Sequence, residues 1–201
     1  MDLFNSTYAE SIYIHIPFCK RKCNYCAFIS NTDICNYENT YINTLVQEIN
    51  TINTISKINT VYLGGGTPNL LSLNSLEKIF TCLNEKFDIS NNAEITMEFN
   101  PKISDLNYIK EVKDLGVNRI SLGAQSFNDN ILKTLNRIHN SQDTLTTIDN
   151  IIKAGISNFS LDLIYGIFGQ TLQDISADLF MVNKINPNHI STYGLKIEDN
   201  T

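Results

Sequence analysis

Strand-like and helix-like segments alternate along most of the chain, at a spacing of roughly 30 residues, as βα units do. This repeat constrains the fold more than any other feature, because successive parallel strands can only be joined through crossovers, usually helical ones. The candidate strands are residues 12–18, 60–64, 94–100, 119–127, 158–165 and 189–196. Between them run apolar stripes at helical spacing. Tyr37, Tyr41, Leu45, Ile49 and Ile52 form the first. Leu73, Leu76, Phe80 and Leu83 form the second, with Ser72 placed to cap it. Ser104 is the expected cap of a third helix carrying Leu106, Ile109 and Val112, and Gly116 stops it. Ser141 is the expected cap of a fourth, with Leu145, Ile148 and Ile152 ahead of Gly155. Thr171 with Asp174 predicts a capping box for a fifth, ending near Pro187. These stripes are most simply core-facing surfaces.

Strands buried on both faces read as continuous apolar runs. Here they alternate. Ile12, Ile14 and Ile16 alternate with Tyr13 and His15, and Ile95, Met97 and Phe99 with Glu94, Thr96, Glu98 and Asn100. Ile120, Leu122 and Ala124 alternate with Arg119, Ser121, Gly123 and Gln125, and Phe159, Leu161 and Leu163 with Ser160 and Asp162. Helices must cover the apolar face. The polar face is then either open to solvent, as in a two-layer protein, or the lining of a concavity. Glu98, Arg119, Gln125 and Asp162 favour the concavity, so the expected architecture is α/β, a partial six-stranded barrel with a polar inner face, in a single domain over 1–201.

Directly after the first strand comes Cys19-Lys-Arg-Lys-Cys23-Asn-Tyr-Cys26. Three thiolates on one short loop repel unless a metal takes them, and iron–sulfur clusters are held by such loops. Structural zinc sites complete four ligands, usually from paired cysteines or histidines. Cys35, Cys82, His15, His139 and His189 lie far away in sequence, so zinc is the weaker reading. Lys20, Arg21 and Lys22 favour thiolates, although an ordinary solvated loop would look the same. After the second strand stands Leu63-Gly-Gly-Gly-Thr-Pro68. It is neither a P-loop nor G-x-G-x-x-G. Alone it would be a tight turn; its place at a strand's C-terminal end, where α/β proteins bind ligands, raises it.

Composition bounds the rest. The chain has 201 residues, 42% hydrophobic and 18% charged, as in globular proteins. A net charge of −6 argues against nucleic acid as a partner. No apolar run approaches the roughly 20 residues that span a bilayer. The first residues lack a basic stretch followed by an apolar core, so a cytoplasmic location and metal or redox use of the five cysteines are expected. The many Asn and Ile residues read as compositional bias.

Taken together, these residues resemble the radical S-adenosylmethionine superfamily, through the triad Cys19, Cys23, Cys26 with Tyr25, and through Gly64–Pro68. More narrowly, Tyr13-Ile-His-Ile-Pro-Phe-Cys19, Glu98-Phe-Asn-Pro101, Gly116-Val-Asn-Arg-Ile-Ser-Leu-Gly-Ala-Gln-Ser-Phe127, Arg137-Ile-His139 and Leu161-Asp-Leu-Ile-Tyr-Gly166 are similar to the oxygen-independent coproporphyrinogen III oxidase family, and within it to the haem-chaperone (HemW-type) branch. The resemblance runs from about Ile12 onward. It implies a 4Fe–4S cluster on Cys19, Cys23 and Cys26 whose open iron takes S-adenosylmethionine, cleaved by one electron to methionine and a deoxyadenosyl radical. It implies cofactor-binding roles for Tyr13, Tyr25, Gly65, Gly66, Thr67, Glu98, Gln125, Arg137 and Asp162. No catalytic residue is assigned. Implied partners are haem or a porphyrin, an electron donor and a haem-acceptor protein.

Three departures matter. The oxidase branch has a further cysteine two residues after the third, where this chain has Phe28. The turn after the fifth strand, Gly166-Ile-Phe-Gly169, has Phe168 where the family has proline, which is expected to loosen it. The sequence stops at Ile197-Glu-Asp-Asn-Thr201, whereas family members continue through a last barrel helix and a C-terminal domain, so a truncated form is expected. The favoured reading is a haem chaperone. A porphyrinogen-oxidising enzyme and a non-functional remnant are the alternatives.

Overall fold

The computed structural model describes residues 9–53 and 56–198. The readings of residues 1–6 and 199–201 lie outside that range. Six strands form one sheet in the order of the sequence: β1 (Ser11–Ile16), β2 (Ile58–Gly65), β3 (Ile89–Phe99), β4 (Arg119–Gln125), β5 (Asn158–Tyr165) and β6 (His189–Gly194). Every pair is parallel. Sequential order with parallel pairing is barrel winding, but β1 and β6 do not pair, so the barrel is partial. The crossovers carry α1 (Ile34–Thr51), α2 (Leu73–Lys86), α3 (Leu106–Asp114), α4 (Asp129–Thr134), α5 (Ser141–Lys153) and α6 (Leu172–Ile185).

The alternation predicts the faces correctly. Ile14, Ile16, Val61, Leu63, Met97, Phe99, Ile120, Leu122, Phe159 and Leu161 are buried in one cluster with Ile42, Ile49, Leu76, Ile79, Leu83, Ile109, Val112, Ile148 and Ile151 of the helices. The opposite face is joined by polar contacts. Tyr62 Oη donates to Glu98 Oε1 at 2.8 Å, and Ser121 Oγ donates to Asp162 at 3.1 and 3.2 Å. β6 contributes no buried residue, in keeping with its place at the open edge.

Several local readings are corrected. β3 begins at Ile89, ahead of the expected 94, because Ile89 pairs with Ile58 before a register shift in β2. Asp105 rather than Ser104 caps α3, accepting from Tyr108 N at 2.9 Å, while Ser104 Oγ accepts from Asn69. Asn140 rather than Ser141 caps α5, in a capping box with Asp143. Ser72 caps α2, and Thr171 with Asp174 forms the predicted box of α6. β4 ends at Gln125, short of the expected 127, and α4 is a short helix that sequence pattern did not show.

Candidate functional site

The strand ends open into a cleft of about 560 Å³. Cys19, Cys23, Tyr25, Cys26, Gly65, Gly66, Thr67, Glu98, Gln125, Arg137 and Asp162 all line it. Tyr13 does not. It is level with Tyr62 in the register of β1 and β2, stacks on that ring and is 60% exposed at the sheet's edge. Its link to the site runs through Tyr62, whose hydroxyl reaches Glu98.

The cysteine loop is closed at its base. Asn31 N donates to Pro17 O at 2.6 Å and Cys19 N to Asn31 O at 3.0 Å. Its far side is tied to the segment after α4, where Asn136 Nδ2 donates to Lys22 O at 3.0 Å. Tyr25 packs against a second apolar cluster of Ile131, Leu135, Ile164 and Ile167. The short helix α4 therefore gives the loop an apolar anchor between two of its cysteines. Cys19, Cys23 and Cys26 are half-buried free thiols, whereas Cys35 is exposed and Cys82 of α2 is buried against α1. Burial, and then the neighbouring cysteines, push the Cys19 thiol up, against donors from Thr67 and Ser30. Among the described residues no three His, Cys, Asp or Glu side chains are grouped to hold a single metal ion. A cluster asks for a different arrangement, one thiolate per iron corner, and the loop supplies three thiols facing one cleft.

The glycine loop is close-packed for a reason. A Cβ on Gly66 would stand 2.6 Å from Phe18 O and 3.0 Å from Cys19 Sγ. A side chain there would collide with the first cysteine, so Gly66 is what lets the two loops meet. Glu98 accepts from Gly65 N at 2.9 Å as well as from Tyr62. Burial raises its pKa, partly offset by those two donors. Burial also raises Asp162, against hydrogen bonds from Ser191 and Ser121. Gln125 ends β4 at a left-handed φ of 65°, where β4 carries an extra residue relative to β5. Such backbone outliers persist where surrounding structure over-determines them, often at binding sites.

Arg137 Nη1 donates to Cys23 Sγ at 3.5 Å, and Nη2 donates to Gly123 O at 3.0 Å and to Asn100 Oδ1. Its Nε is buried without a partner. A buried guanidinium N–H aimed at no protein acceptor fits a missing anionic ligand, because an unmade charged hydrogen bond is costly. The structure brings Arg137 into the cleft, where the resemblance expects it. Asn100 lines the cleft and Asn69 supports it; neither carries an expected site role, although alternation places Asn100 on the polar face. Asn69, 2% exposed, accepts from Asn100 N at 3.0 Å and donates to Asn100 O at 3.1 Å, locking the glycine loop to the end of β3. Position at a strand's C-terminal end was the available signal for Asn100. The turn expected to be loose at Phe168 is held by Gln170, whose Oε1 accepts from Gly166 N at 2.8 Å and Ile167 N at 3.3 Å.

A partial parallel barrel with a cysteine loop and a glycine loop at its strand ends defines a class, and residues 13–182 match the family model for the Radical SAM superfamily. The chain belongs to that superfamily, whose members use a 4Fe–4S cluster with S-adenosylmethionine. Within it the chain is 41% identical over 197 residues to the haem chaperone HemW of Buchnera aphidicola subsp. Acyrthosiphon pisum, covering 95% of this chain and 52% of that protein. It is 39% identical over 195 residues to the HemW of Buchnera aphidicola subsp. Schizaphis graminum, covering 95% and 52%. The coproporphyrinogen III oxidase HemN of Escherichia coli superposes with a TM-score of 0.85 at 27% identity, over 92% of this chain and 44% of that one. The chain spans about half the length of the curated relatives it matches.

Proposed function

We propose that the chain holds a 4Fe–4S cluster on Cys19, Cys23 and Cys26, binds S-adenosylmethionine beside it, and serves as a cytoplasmic haem chaperone passing haem to an acceptor protein. The observation that carries this reading is the meeting of three thiols, two half-buried carboxylates and a half-buried arginine in one cleft. When bound, the cluster would be held by Cys19, Cys23 and Cys26 and would supply the electron that splits the sulfonium of S-adenosylmethionine.

The protein's own groups do the binding. Glu98 has each oxygen occupied by one donor and retains lone pairs for an ammonium or hydroxyl of the ligand. Asp162, held by Ser121, offers a second carboxylate across the cleft. Arg137 Nε is the free donor for a ligand carboxylate. Tyr25, Gly65, Gly66, Thr67 and Gln125 shape the walls around them. Phe28 supports transport of haem over porphyrinogen oxidation. It stands where the oxidase branch carries a cysteine, lines the cleft mouth and is 64% exposed, an apolar ring available to a porphyrin face. Similarity to two haem chaperones supports the same choice. The HemN-like fold favours the oxidase as second reading.

Anaerobic reconstitution tests both. The expected product holds about four irons per chain, its reduced paramagnetic spectrum changes on adding S-adenosylmethionine, and it binds haem stoichiometrically. Cys23→Ala loses the iron. Unchanged iron in that variant would end the triad assignment, and conversion of coproporphyrinogen III would replace the chaperone by the oxidase.

A further inference from the structure

Asn100 lies between two of the three cysteines without touching either. Its Nδ2 donates to Thr67 Oγ1 at 2.8 Å, and Thr67 Oγ1 donates to Cys19 Sγ at 3.8 Å. Its Oδ1 accepts from Arg137 Nη2, and Arg137 Nη1 donates to Cys23 Sγ at 3.5 Å. The donors' chemistry fixes the direction of this chain. A guanidinium only donates, so the amide oxygen of Asn100 must face it and the amide nitrogen must face Thr67. Thr67 then receives a hydrogen at its oxygen, and its own proton is free to point at the Cys19 sulfur. One amide thereby orients a donor toward each of two thiolates.

The amide itself is fixed. Asn69 holds its backbone at both N and O, as described above, and Ser104 Oγ accepts from Asn69 Nδ2 at 2.9 Å behind it. Gly123 makes room on the other side: a Cβ there would lie 3.1 Å from Asn100 Oδ1 and 3.4 Å from Arg137 Nη2.

We propose that Asn100 is a positioning residue that sets the reduction potential of the cluster, by aiming the Thr67 hydroxyl at Cys19 and the Arg137 guanidinium at Cys23. This rests on the cluster assignment made above. Hydrogen bonds to ligating sulfurs are among the determinants of cluster potential. They stabilise the more electron-rich reduced state, so losing them makes reduction harder.

Reconstituted wild type, Asn100→Ala, Thr67→Val and Thr67→Ser proteins are compared for iron content, midpoint potential by spectroscopic redox titration, and Fe–S stretching frequencies in H2O and D2O. Both Asn100→Ala and Thr67→Val are expected to load iron and shift to more negative potential, with loss of deuterium sensitivity at one Fe–S stretch. Thr67→Ser, which keeps the hydroxyl, retains the wild-type potential. In the double variant Asn100→Ala/Thr67→Val the shifts fall short of their sum, because both act on Cys19 through one proton. A loaded Asn100→Ala protein with unmoved potential, or strictly additive shifts, overturns the inference alone. Wild type that takes up no cluster overturns the underlying reading and the inference with it. Should Asn100→Ala lose its iron, Asn100→Ser, polar but too short to reach both partners, is titrated in its place against the same outcomes.

Discussion

Asn140 accepts from Asp143 N at 2.9 Å, while the Asp143 carboxylate accepts from Asn140 N at 3.0 Å. Ser141, one position later, donates its backbone N–H to Asp129 at 2.8 Å. Removing the cap should cost about 1 kcal/mol, the usual loss when Asn becomes Ala at this position. Asn140→Ala should therefore lower the urea midpoint more than Ser141→Ala, which loses only an exposed hydroxyl bond to Asp129, and the opposite order would restore the serine as the cap. The same residue type explains two misses at the site. In a chain rich in asparagine, neither Asn69 nor Asn100 carries a compositional signal; alternation places Asn100 on the polar face, but nothing in spacing distinguishes Asn69, whose amide clamps a backbone, from an asparagine in a turn. Cysteine and glycine are different. Three cysteines within one loop have few structural uses, and a glycine run at a strand's end has few alternatives to close approach, so both were legible. Gly66→Ala is the sharp test of the second. With only 2.6 Å to Phe18 O and 3.0 Å to Cys19 Sγ, the added methyl should displace the cysteine loop, and iron uptake should fall sharply with the fold retained by far-ultraviolet dichroism.

At the level of elements, the exit of β4 gathers a group of buried polar side chains, Gln125, Ser126, His139 and Asp178. Asp178 of α6 accepts from Ser126 Oγ at 2.9 and 3.1 Å and from Phe127 N at 2.6 Å, and so ties α6 to the turn that follows Gln125. His139, 4% exposed, meets Ala124 O through Nε2 at 3.2 Å, and its Nδ1 is buried without a partner. Burial, then Arg137 and Lys102, push this histidine down from 6.5 to about 4, against the Ala124 carbonyl and Asp143. The sign follows from proton counting. Between those two values the unfolded chain binds a proton that the folded chain refuses, so stability from this group is complete above 6.5 and is lost as pH falls toward 4. The upper limit of the loss is about 3 kcal/mol, at 1.36 kcal/mol per unit. Asp178, Glu98 and Asp162 oppose it, since burial raises each of them and acid relieves their charge. The clean measurement is therefore the stability difference between wild type and His139→Gln, which should shrink as pH drops through that window. A difference independent of pH would mean that the imidazole binds its proton equally well in the folded and the unfolded chain. Element order and strand faces were readable because alternation is a property of each strand alone. The bulge before Gln125 and the anchoring helix α4 were not, because both depend on a neighbouring strand or loop that no local window contains.

For the molecule as a whole, the −6 net charge and the cationic run Lys20-Arg21-Lys22 of the cysteine loop have opposite signs. Lys20, Arg21 and Lys22 are exposed on the cysteine loop, and among the described residues none of them takes part in an ion pair under 4.0 Å. Which sign an incoming reductant feels depends on how far its field reaches. At about 0.01 M salt the Debye length is about 30 Å, so the whole anionic molecule contributes; at about 0.1 M it is about 10 Å, and the loop dominates. The open strand ends place the cysteines beside these cations, so electrons entering there should come faster from an anionic reductant once distant charge is screened. Lys20→Glu with Lys22→Glu reverses the local sign and leaves the three cysteines in place. At about 0.1 M salt, stopped-flow reduction of the reconstituted double variant by dithionite should be slower than wild type, and reduction by a cationic viologen radical faster, with iron content unchanged. Rates that match wild type for both reductants would mean that electrons enter through another face, and that the cationic loop serves the cleft's ligands instead.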